Sequence, residues 1–471
     1  MEAKIEVISR ELIKPSSPTA VEKKELTLSL LDQLQPARYI PLLFFYKRNP
    51  CDSKIYGDKY TSNATFHLKQ SLSDCLTKFY PLAGKLNPGH CSINCDDSGA
   101  LFVEAKINIG LSEAVHDVPY EDFGKYLPLE PYLQSEDEDG ECRLKSEMMV
   151  LAVQITWFAC GGNVVGVCIL HNVADLMSCL TFMNSWAALN RGAGEGGTTN
   201  FSTPNFNIGT QMFLPLKHVI PSQNHLEAKK VWKRFVFDNN MLTNLKKIAT
   251  TSPSSHEVKV KDPTRVEVVS AFIWKHFINV MLAKNQDDAA TTLMSRIWHL
   301  VNLRRRMSRL LALPSTEFPF GNFLTCAVAS FTSEEIQEEG ITYANYGDLV
   351  WRTRDSIKKI DEDYVVKRVV PFVKKMATNG VGHLQPPPTT TVTERVFSSW
   401  LRFPIYEVDF GWGKPVSVGP TAAAFGDGNV VYLISTRNEE GIEAWISMSE
   451  DDFGLLPDEF LSLATTDFFQ I

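Results

Sequence analysis

A histidine and an aspartate stand four residues apart in the sequence HNVAD, at His171 and Asp175. The unperturbed pKa of a histidine side chain, about 6.5, is close to working pH, so an imidazole can take a proton in one step of a reaction and return it in the next. A nearby aspartate could orient the ring, as in hydrolase triads. The pattern is short, however, and a core histidine followed by a helix-capping aspartate explains the same residues.

The segments around His171 predict how it is held. Val164–Leu170 is an apolar run rich in β-branched residues, typical of a buried strand. Met149–Phe158 is also strand-like, and the glycines at 161 and 162 predict a hairpin turn between the two strands. After His171, apolar residues at helical spacing predict a helix that Gly192 ends. A histidine at such a strand-to-helix junction can be fixed by the core while its ring faces a cleft.

Length and composition set the broad class. At 471 residues the chain predicts two domains or one large bilobal unit. A net charge of −8 argues against nucleic-acid binding, which needs a basic face. The longest apolar runs, such as IPLLFFY, are too short to span a membrane, and no secretory signal opens the chain. Nine cysteines are then expected to be reduced thiols, and the predicted location is the cytoplasm.

Further elements follow the same periodicities. Asn63 or Thr65 is predicted to cap a helix that ends before Pro81. The dense apolar stretch 266–283 predicts a buried helix. Strands are predicted at 296–303 and 323–331, a helix around 346–360, a terminal hairpin within 429–449 and a closing helix in LPDEFLSLA.

Three further observations argue against a dinucleotide site, a metal site and a serine hydrolase. Gly192, Gly194 and Gly197 match GxGxxG, but they follow a helix and precede a polar stretch, whereas a dinucleotide site needs a strand before and a helix after. His90, Cys91 and Cys95 have no second ligand pair at suitable spacing, so no metal site is predicted. The chain also lacks the GxSxG sequence of serine hydrolases.

Motifs spread along the whole chain resemble one family. The chain contains YPLAGK at 80–85, HNVAD at 171–175, NLRRRM at 302–307 and DFGWG at 409–413. In this order and spacing they resemble the plant BAHD family of coenzyme-A-dependent acyltransferases. The segments ELIKPSSPT, LDQL and VNLRRRM are most similar to its alkaloid O-acetyltransferase branch, which contains vinorine synthase.

The resemblance implies an α/β fold with mixed sheets, in two similar lobes of the chloramphenicol-acetyltransferase type with a tunnel between them. The implied boundaries are an N-terminal lobe at 1–200, a crossover linker at 201–225 and a C-terminal lobe at 226–471. The segment around 407–433 is expected to return to the N-terminal lobe. Coenzyme A would enter the tunnel from one face and the acceptor from the other, with His171 midway.

The resemblance also implies roles for individual residues. His171 would be the general base, and Asp175 would point away from it and pair with an arginine, here Arg304, rather than orient the ring. Asp409 would hold the DFGWG turn, in which Gly411 and Gly413 adopt unusual backbone angles. The remaining implied roles are an oxyanion or acyl-site contact by Ser398 and Trp400, for which a core tryptophan is the alternative, and a coenzyme contact by Asn322.

The predicted function is transfer of an acetyl group from acetyl-CoA to a hydroxyl group of a bulky alkaloid or terpenoid. We expect a monomer with acyl-CoA as co-substrate and no metal or permanently bound cofactor. One alternative is a hydroxycinnamoyl or benzoyl transferase acting on a phenol or amine, and another is a non-catalytic binding protein of the same family. A bacterial-type acetyltransferase or condensation domain is disfavoured, because Leu170 stands where those proteins usually have a second histidine.

Overall fold

The computed structural model describes residues 4–48, 58–87, 89, 91–115, 120–129, 134–136, 142–144, 148–192, 203–216, 230–252, 260–285, 292–314, 316–335, 345–371, 375, 390–419 and 429–464. Within them the strands are β1 (Ile5–Ile13), β2 (Glu25–Thr27), β3 (Tyr39–Tyr46), β4 (Lys85–Leu86), β5 (Ser92–Asn94), β6 (Ala100–Ile107), β7 (Gln134–Glu136), β8 (Cys142–Leu144), β9 (Met148–Met149), β10 (Leu151–Phe158), β11 (Asn163–Leu170), β12 (Thr203–Asn205), β13 (Val231–Phe237), β14 (Thr292–Asn302), β15 (Glu317–Pro319), β16 (Leu324–Thr332), β17 (Thr390–Ser399), β18 (Ser417–Gly419), β19 (Val430–Ser435) and β20 (Ile442–Met448). The α-helices are α1 (Leu30–Gln33), α2 (Asp58–Lys78), α3 (Leu111–Val115), α4 (Leu176–Asn190), α5 (Ile208–Met212), α6 (Asn239–Thr251), α7 (Arg265–Lys284), α8 (Ser308–Leu311), α9 (Tyr346–Lys358), α10 (Glu362–Tyr364), α11 (Glu450–Gly454) and α12 (Asp458–Leu461).

The N-terminal lobe is built on a six-stranded mixed sheet in the order β1-β6-β10-β11-β3-β18. Only β6 and β10 run parallel, and the other neighbours are antiparallel. The predicted hairpin is confirmed: β10 and β11 pair from Leu151 opposite Ile169 to Trp157 opposite Asn163. Every residue of these two strands is buried, which explains their nearly continuous apolar sequence.

The C-terminal lobe is built on a second six-stranded mixed sheet, in the order β13-β20-β19-β17-β14-β16. Here β17 is parallel to both of its neighbours, and the remaining pairs are antiparallel. Along β14 the side chains alternate strictly between buried and partly exposed, as the period of two of a strand requires. The predicted terminal hairpin is confirmed as β19 and β20.

Helix α7 is the core helix of the C-terminal lobe. Thr264 caps it, and its side chain accepts from the backbone N–H of Glu267 while that glutamate bonds back to the Thr264 N–H. The helix is long and apolar enough by composition to cross a membrane, but 78% of its apolar window is buried inside the lobe. Its apolar sequence is therefore explained by packing against the second sheet.

Two lobes with mixed sheets confirm the predicted fold class, and the described parts of the segment around 407–433 contact both lobes. Strand β18 does join the N-terminal sheet by pairing with β3. Strand β19, however, pairs with β17 and β20 in the C-terminal sheet. On β19, Val431 and Leu433 are buried in the core of the C-terminal lobe, whereas Tyr432 and Ile434 are buried in the core that contains the N-terminal sheet. The strand therefore contributes to both cores, and the exact lobe boundaries stay predictions.

The predicted start of the second helix is wrong. Helix α2 begins at Asp58, so Asn63 and Thr65 lie inside it. The Thr65 hydroxyl accepts a hydrogen bond from the indole of Trp157 at 3.2 Å instead of capping the helix. The first turn of α2 is polar, and apolar periodicity therefore located the helix only from its second turn onward.

Candidate active site

His171 is held by the backbone where the two lobes meet. It follows the last residue of β11, and its N–H donates to the carbonyl oxygen of Arg38 at 2.8 Å. A tight turn comes next, in which the N–H groups of Val173 and Ala174 donate to the Leu170 carbonyl at 3.0 and 3.2 Å. Helix α4 then begins at Leu176. The strand-to-helix junction expected from the sequence therefore fixes this histidine.

The surroundings of the His171 ring keep it neutral. The residue is partly exposed, but its Nδ1 atom is buried and has no hydrogen-bond partner among the described residues. Burial is the main reason that the pKa of His171 falls to about 4, and the positive charge of Arg38 lowers it further. At neutral pH the ring can therefore accept a proton.

A buried amide and a buried carboxylate lie behind the ring. The side-chain amide of Asn322 donates from Nδ2 to the His171 carbonyl oxygen at 2.7 Å and to Asp32 Oδ1 at 2.9 Å. The same Asp32 oxygen accepts the Asn322 N–H at 2.7 Å. Since both neighbours of Nδ2 are acceptors, these contacts fix which end of the amide is the NH₂ group.

Asp32 is itself held by Ser29, which caps the short helix α1. Its Oδ2 atom accepts from the Ser29 hydroxyl at 2.6 Å and from the Ser29 N–H at 3.0 Å. Burial raises the pKa of Asp32 to about 6, although the donors of Ser29 and Asn322 act in the opposite direction. This carboxyl thus titrates closer to neutral pH than an exposed aspartate.

The aspartate of the HNVAD motif faces away from the ring. Asp175 caps α4, and its Oδ1 accepts from the Ser178 N–H at 2.9 Å. Arg304 donates to both carboxylate oxygens, from Nη1 to Oδ2 at 2.6 Å and from Nη2 to Oδ1 at 3.1 Å. The Phe323 N–H also donates to Oδ2 at 3.1 Å. These donors occupy the carboxylate, which leaves it no role in orienting His171.

Arg304 joins the two lobes. It follows β14 of the C-terminal lobe, whereas Asp175 belongs to the N-terminal lobe, and side-chain exposure in the pair is only 8% and 2%. Its Nη2 also donates to the Ser178 hydroxyl at 2.9 Å and to the Gly321 carbonyl at 3.0 Å. The guanidinium lies against the rings of Phe318 and Phe323, 4.9 and 4.8 Å from their centres. The pairing thus fixes the C-terminal lobe against the start of α4.

The DFGWG sequence lies at the far end of α4. Asp409 Oδ1 accepts from the N–H groups of Gly411 and Gly413 at 2.7 and 2.9 Å, and both glycines have positive φ, +102° and +87°. Arg191 and Asn190, at the C-terminal end of α4, donate to the carbonyls of residues 409 and 410. The 15 residues of α4 span about 22 Å, so Asp409 is remote from His171.

We expect Asp409→Ala to destabilise the protein by about 1–3 kcal/mol, because two backbone N–H groups lose a charged acceptor. Since the turn is remote from His171, kcat should change by less than about tenfold. Urea unfolding and steady-state kinetics would measure the two effects. Asp409→Asn, which keeps the Oδ1 acceptor, is the matched control and should retain most of the stability. A complete loss of kcat in both folded variants would contradict this structural role.

Ser398 and Trp400 lie at the end of β17. The indole N–H of Trp400 donates to the Ser398 hydroxyl oxygen at 3.1 Å. Trp400 is 4% exposed, and its ring packs edge-on against Tyr432 with 5.1 Å between the centres. In this arrangement the indole N–H is engaged, and the hydroxyl hydrogen of Ser398 is the donor that remains.

The structure adds residues to the site that the sequence did not indicate. Asn322 is 1% exposed and its Nδ2 is bound to Asp32 and His171, while its Oδ1 has no partner among the described residues; its contact with a coenzyme stays a prediction. Asp32 lies in the LDQL sequence, but its partner is 290 residues away. The only sequence pattern that indicated Asp32 was its position three residues after Ser29, which caps the helix. No sequence pattern indicated a role for Ser178 or Arg38.

Two rejected motifs fall largely outside the described residues. Gly194 and Gly197 and also His90 are not described, so the structure does not test their roles. Cys95 is buried in the N-terminal core. In the part of the chain that the structure describes, no group of three or more histidine, cysteine, aspartate or glutamate residues could hold a metal ion.

Comparisons with known proteins agree with these features. A family model described as the Transferase family matches residues 3–462. The chain is 39% identical to stemmadenine O-acetyltransferase of Catharanthus roseus, over 99% of this chain and 100% of that protein. It is 36% identical to vinorine synthase of Rauvolfia serpentina over 99% and 100% of the two chains. The crystal structure of vinorine synthase superimposes with a TM-score of 0.78, covering 99% of this chain and 100% of that one.

Proposed function

Because the chain belongs to the plant BAHD branch of the Transferase family, we propose that it transfers an acetyl group from acetyl-CoA to a hydroxyl group of an alkaloid or terpenoid acceptor. Use of an acyl-CoA and a small-molecule acceptor follows from the family. The main structural support for the proposal is that His171 is neutral and partly exposed where the two lobes meet. The choice of acetyl and of acceptor rests on the full-length similarity to stemmadenine O-acetyltransferase and to limonoid 7-O-acetyltransferase of Citrus sinensis.

The first step in this proposal is attack by the acceptor. His171 takes the hydroxyl proton as the acceptor oxygen forms a bond to the thioester carbon, and the carbonyl becomes an oxyanion. The Nδ1 atom is buried without a partner among the described residues, while the residue as a whole is partly exposed, so Nε2 is the ring nitrogen left to meet the acceptor. The lone pair that takes the proton is then on Nε2.

The second step expels coenzyme A. The carbon–sulfur bond breaks, the carbonyl reforms, and the imidazolium of His171 returns its proton to the thiolate. The acetyl ester and free coenzyme A leave, and the ring is neutral again. Since one histidine serves both proton transfers, no covalent acyl-enzyme is needed, and positioned acid–base catalysis of this kind typically contributes about 10²–10⁴-fold.

We propose that Ser398 donates to the oxyanion. The indole of Trp400 donates to the Ser398 oxygen, which leaves the hydroxyl hydrogen to bond with a new acceptor. A donor already positioned in this way stabilises the negative charge without reorganising during the reaction. In this arrangement Trp400 orients Ser398 and does not contact the oxyanion itself.

The proposal is tested by incubating the protein with acetyl-CoA and a plant metabolite extract. Products heavier by one acetyl group, together with release of free thiol, would support it. Parallel reactions with benzoyl-CoA and a hydroxycinnamoyl-CoA decide the donor, and a preference for either would overturn the choice of acetyl. Absence of thiol release with every donor would favour the non-catalytic alternative.

The pH dependence offers a more specific prediction. Because the pKa of His171 is lowered to about 4, the neutral base persists on acidification: roughly nine-tenths remains at pH 5, against roughly 3% for an unperturbed histidine. We therefore expect kcat/KM to keep most of its value down to about pH 5. Initial rates would be measured from pH 4 to 8, with circular dichroism at each pH to exclude unfolding.

Asp32 is a second group near this site that titrates in the range, since burial raises its pKa to about 6. Asp32→Asn separates the two contributions. If the wild-type profile falls near pH 6 and the decrease disappears in Asp32→Asn, the transition belongs to Asp32. A decrease near 6.5 that persists in this variant would contradict the lowered pKa of His171.

A further inference from the structure

Arg38 stands directly opposite His171. Tyr39 of β3 pairs with Leu170 of β11, and one residue further along the two chains the His171 N–H donates to the Arg38 carbonyl at 2.8 Å. Side chains of directly opposed residues in an antiparallel pair point to the same face, with their Cβ atoms about 4.5–5.5 Å apart. The side chain of Arg38 therefore starts on the same side of the pair as the imidazole, and its charge acts on the ring.

No hydrogen bond or ion pair engages the Arg38 side chain within the described ranges, although it is partly buried. Other buried or partly buried arginines do have carboxylate partners: Arg304 with Asp175, Arg234 with Glu443 and Arg354 with Glu267. A guanidinium has five N–H donors and keeps its charge at any working pH. Partial burial of such a group without an acceptor costs free energy, and a bound ligand would supply the missing acceptor.

Among the described residues, Arg38 is the charged side chain that adds to burial in lowering the pKa of the His171 ring. Asp175 acts in the opposite direction. Asp175 is bound by Arg304 on both oxygens, and Asp32 lies behind Asn322. The position beside His171 is therefore electropositive and suited to an oxygen that carries negative charge.

We propose that Arg38 is an acceptor-binding residue that holds a carboxylate next to the reacting hydroxyl group. This inference rests on the proposed function. The anionic groups of an acyl-CoA are its phosphates, which the pantetheine arm separates from the thioester, whereas Arg38 adjoins the base. A planar guanidinium binds a carboxylate through two parallel N–H donors. The preferred acceptor class is thus a hydroxy acid, and an ester of that acid would bind through its carbonyl oxygen more weakly.

The experiment compares the binding of two alcohols that differ by one carboxylate, indole-3-lactate and tryptophol, to the protein saturated with coenzyme A. Calorimetry would give each Kd for wild type, Arg38→Gln, Arg38→Lys and the control Arg10→Gln, whose arginine is exposed on β1. We expect wild type and the control to favour indole-3-lactate by about 10-fold to 100-fold, as for a hydrogen bond between charged groups. Arg38→Gln should abolish the preference, and Arg38→Lys should retain part of it.

Equal affinity of wild type for the two alcohols, or a preference that survives in folded Arg38→Gln, would overturn the proposal. Acetyl transfer to an acceptor without a carboxylate gives a second criterion. If Arg38→Gln lowers kcat for such an acceptor as much as for a hydroxy acid, Arg38 acts on the thioester carbonyl and not on the acceptor. Because binding is measured without turnover, this inference can fail while acetyl transfer is observed, and the reverse also holds.

Discussion

Replacing His171 with alanine is expected to lower kcat for acetyl transfer by about 10²–10⁴-fold, the usual contribution of a positioned acid–base group. The ring is partly exposed and its Nδ1 has no partner among the described residues, so its removal should change the melting temperature little. The backbone bonds that hold residue 171, to Arg38 and Asn322, remain available to alanine. Thiol release from acetyl-CoA in the presence of acceptor would measure the rate.

His67→Ala is the matched control, because His67 is exposed on α2. This variant should keep the wild-type rate. A folded His171→Ala protein that retained more than about a tenth of the wild-type kcat would show that another group moves the proton.

The Arg304→Met variant should lose about 3–5 kcal/mol of its free energy of unfolding, since it leaves Asp175 as a buried carboxylate without its ion-pair partner. Activity should fall as well, because Arg304 fixes the segment that carries Gly321 and Asn322 against the N-terminal lobe. Urea denaturation would measure the first effect and thiol release the second. The pattern differs from His171→Ala, which should lose rate and keep its stability.

The double variant Asp175→Asn with Arg304→Met distinguishes a buried charge from lost packing. Without the carboxylate charge, the double variant should be more stable than Arg304→Met alone. If the two were equally unstable, the loss would come from the contacts of the guanidinium with Phe318 and Phe323 rather than from the unpaired carboxylate.

The elements around His171 could be predicted from the sequence because the spacing of apolar residues along each segment distinguishes a strand from a helix. The hairpin of β10 and β11, the helix that follows and the buried helix α7 are each set by their own apolar spacing. The resemblance supplied what spacing could not, namely two lobes and an arginine for Asp175. The monomeric state, the location in the cytoplasm and the exact lobe boundaries stay predictions.

Contacts between distant segments could not be predicted from the sequence. Asp32 and Asn322 meet across 290 residues, and neither lies in an apolar pattern that would place it. For Asn322 the resemblance implied only a contact with the coenzyme. In the structure Gly321 allows close approach to Asp32: it has a φ of +134°, and a Cβ atom there would lie 3.3 Å from the Asp32 carboxylate. Burial and pairing of these groups became visible only when both lobes were assembled.

Helix α4 fixes the distance between the HNVAD and DFGWG sequences. Asp175 caps its first turn, and Asn190 and Arg191 at its last turn bind the backbone of the DFGWG loop. One inserted residue would rotate everything beyond it by about 100° and shift it by about 1.5 Å, so the two ends could not both keep their partners. We therefore expect this helix to keep a constant number of residues wherever both sequences are retained.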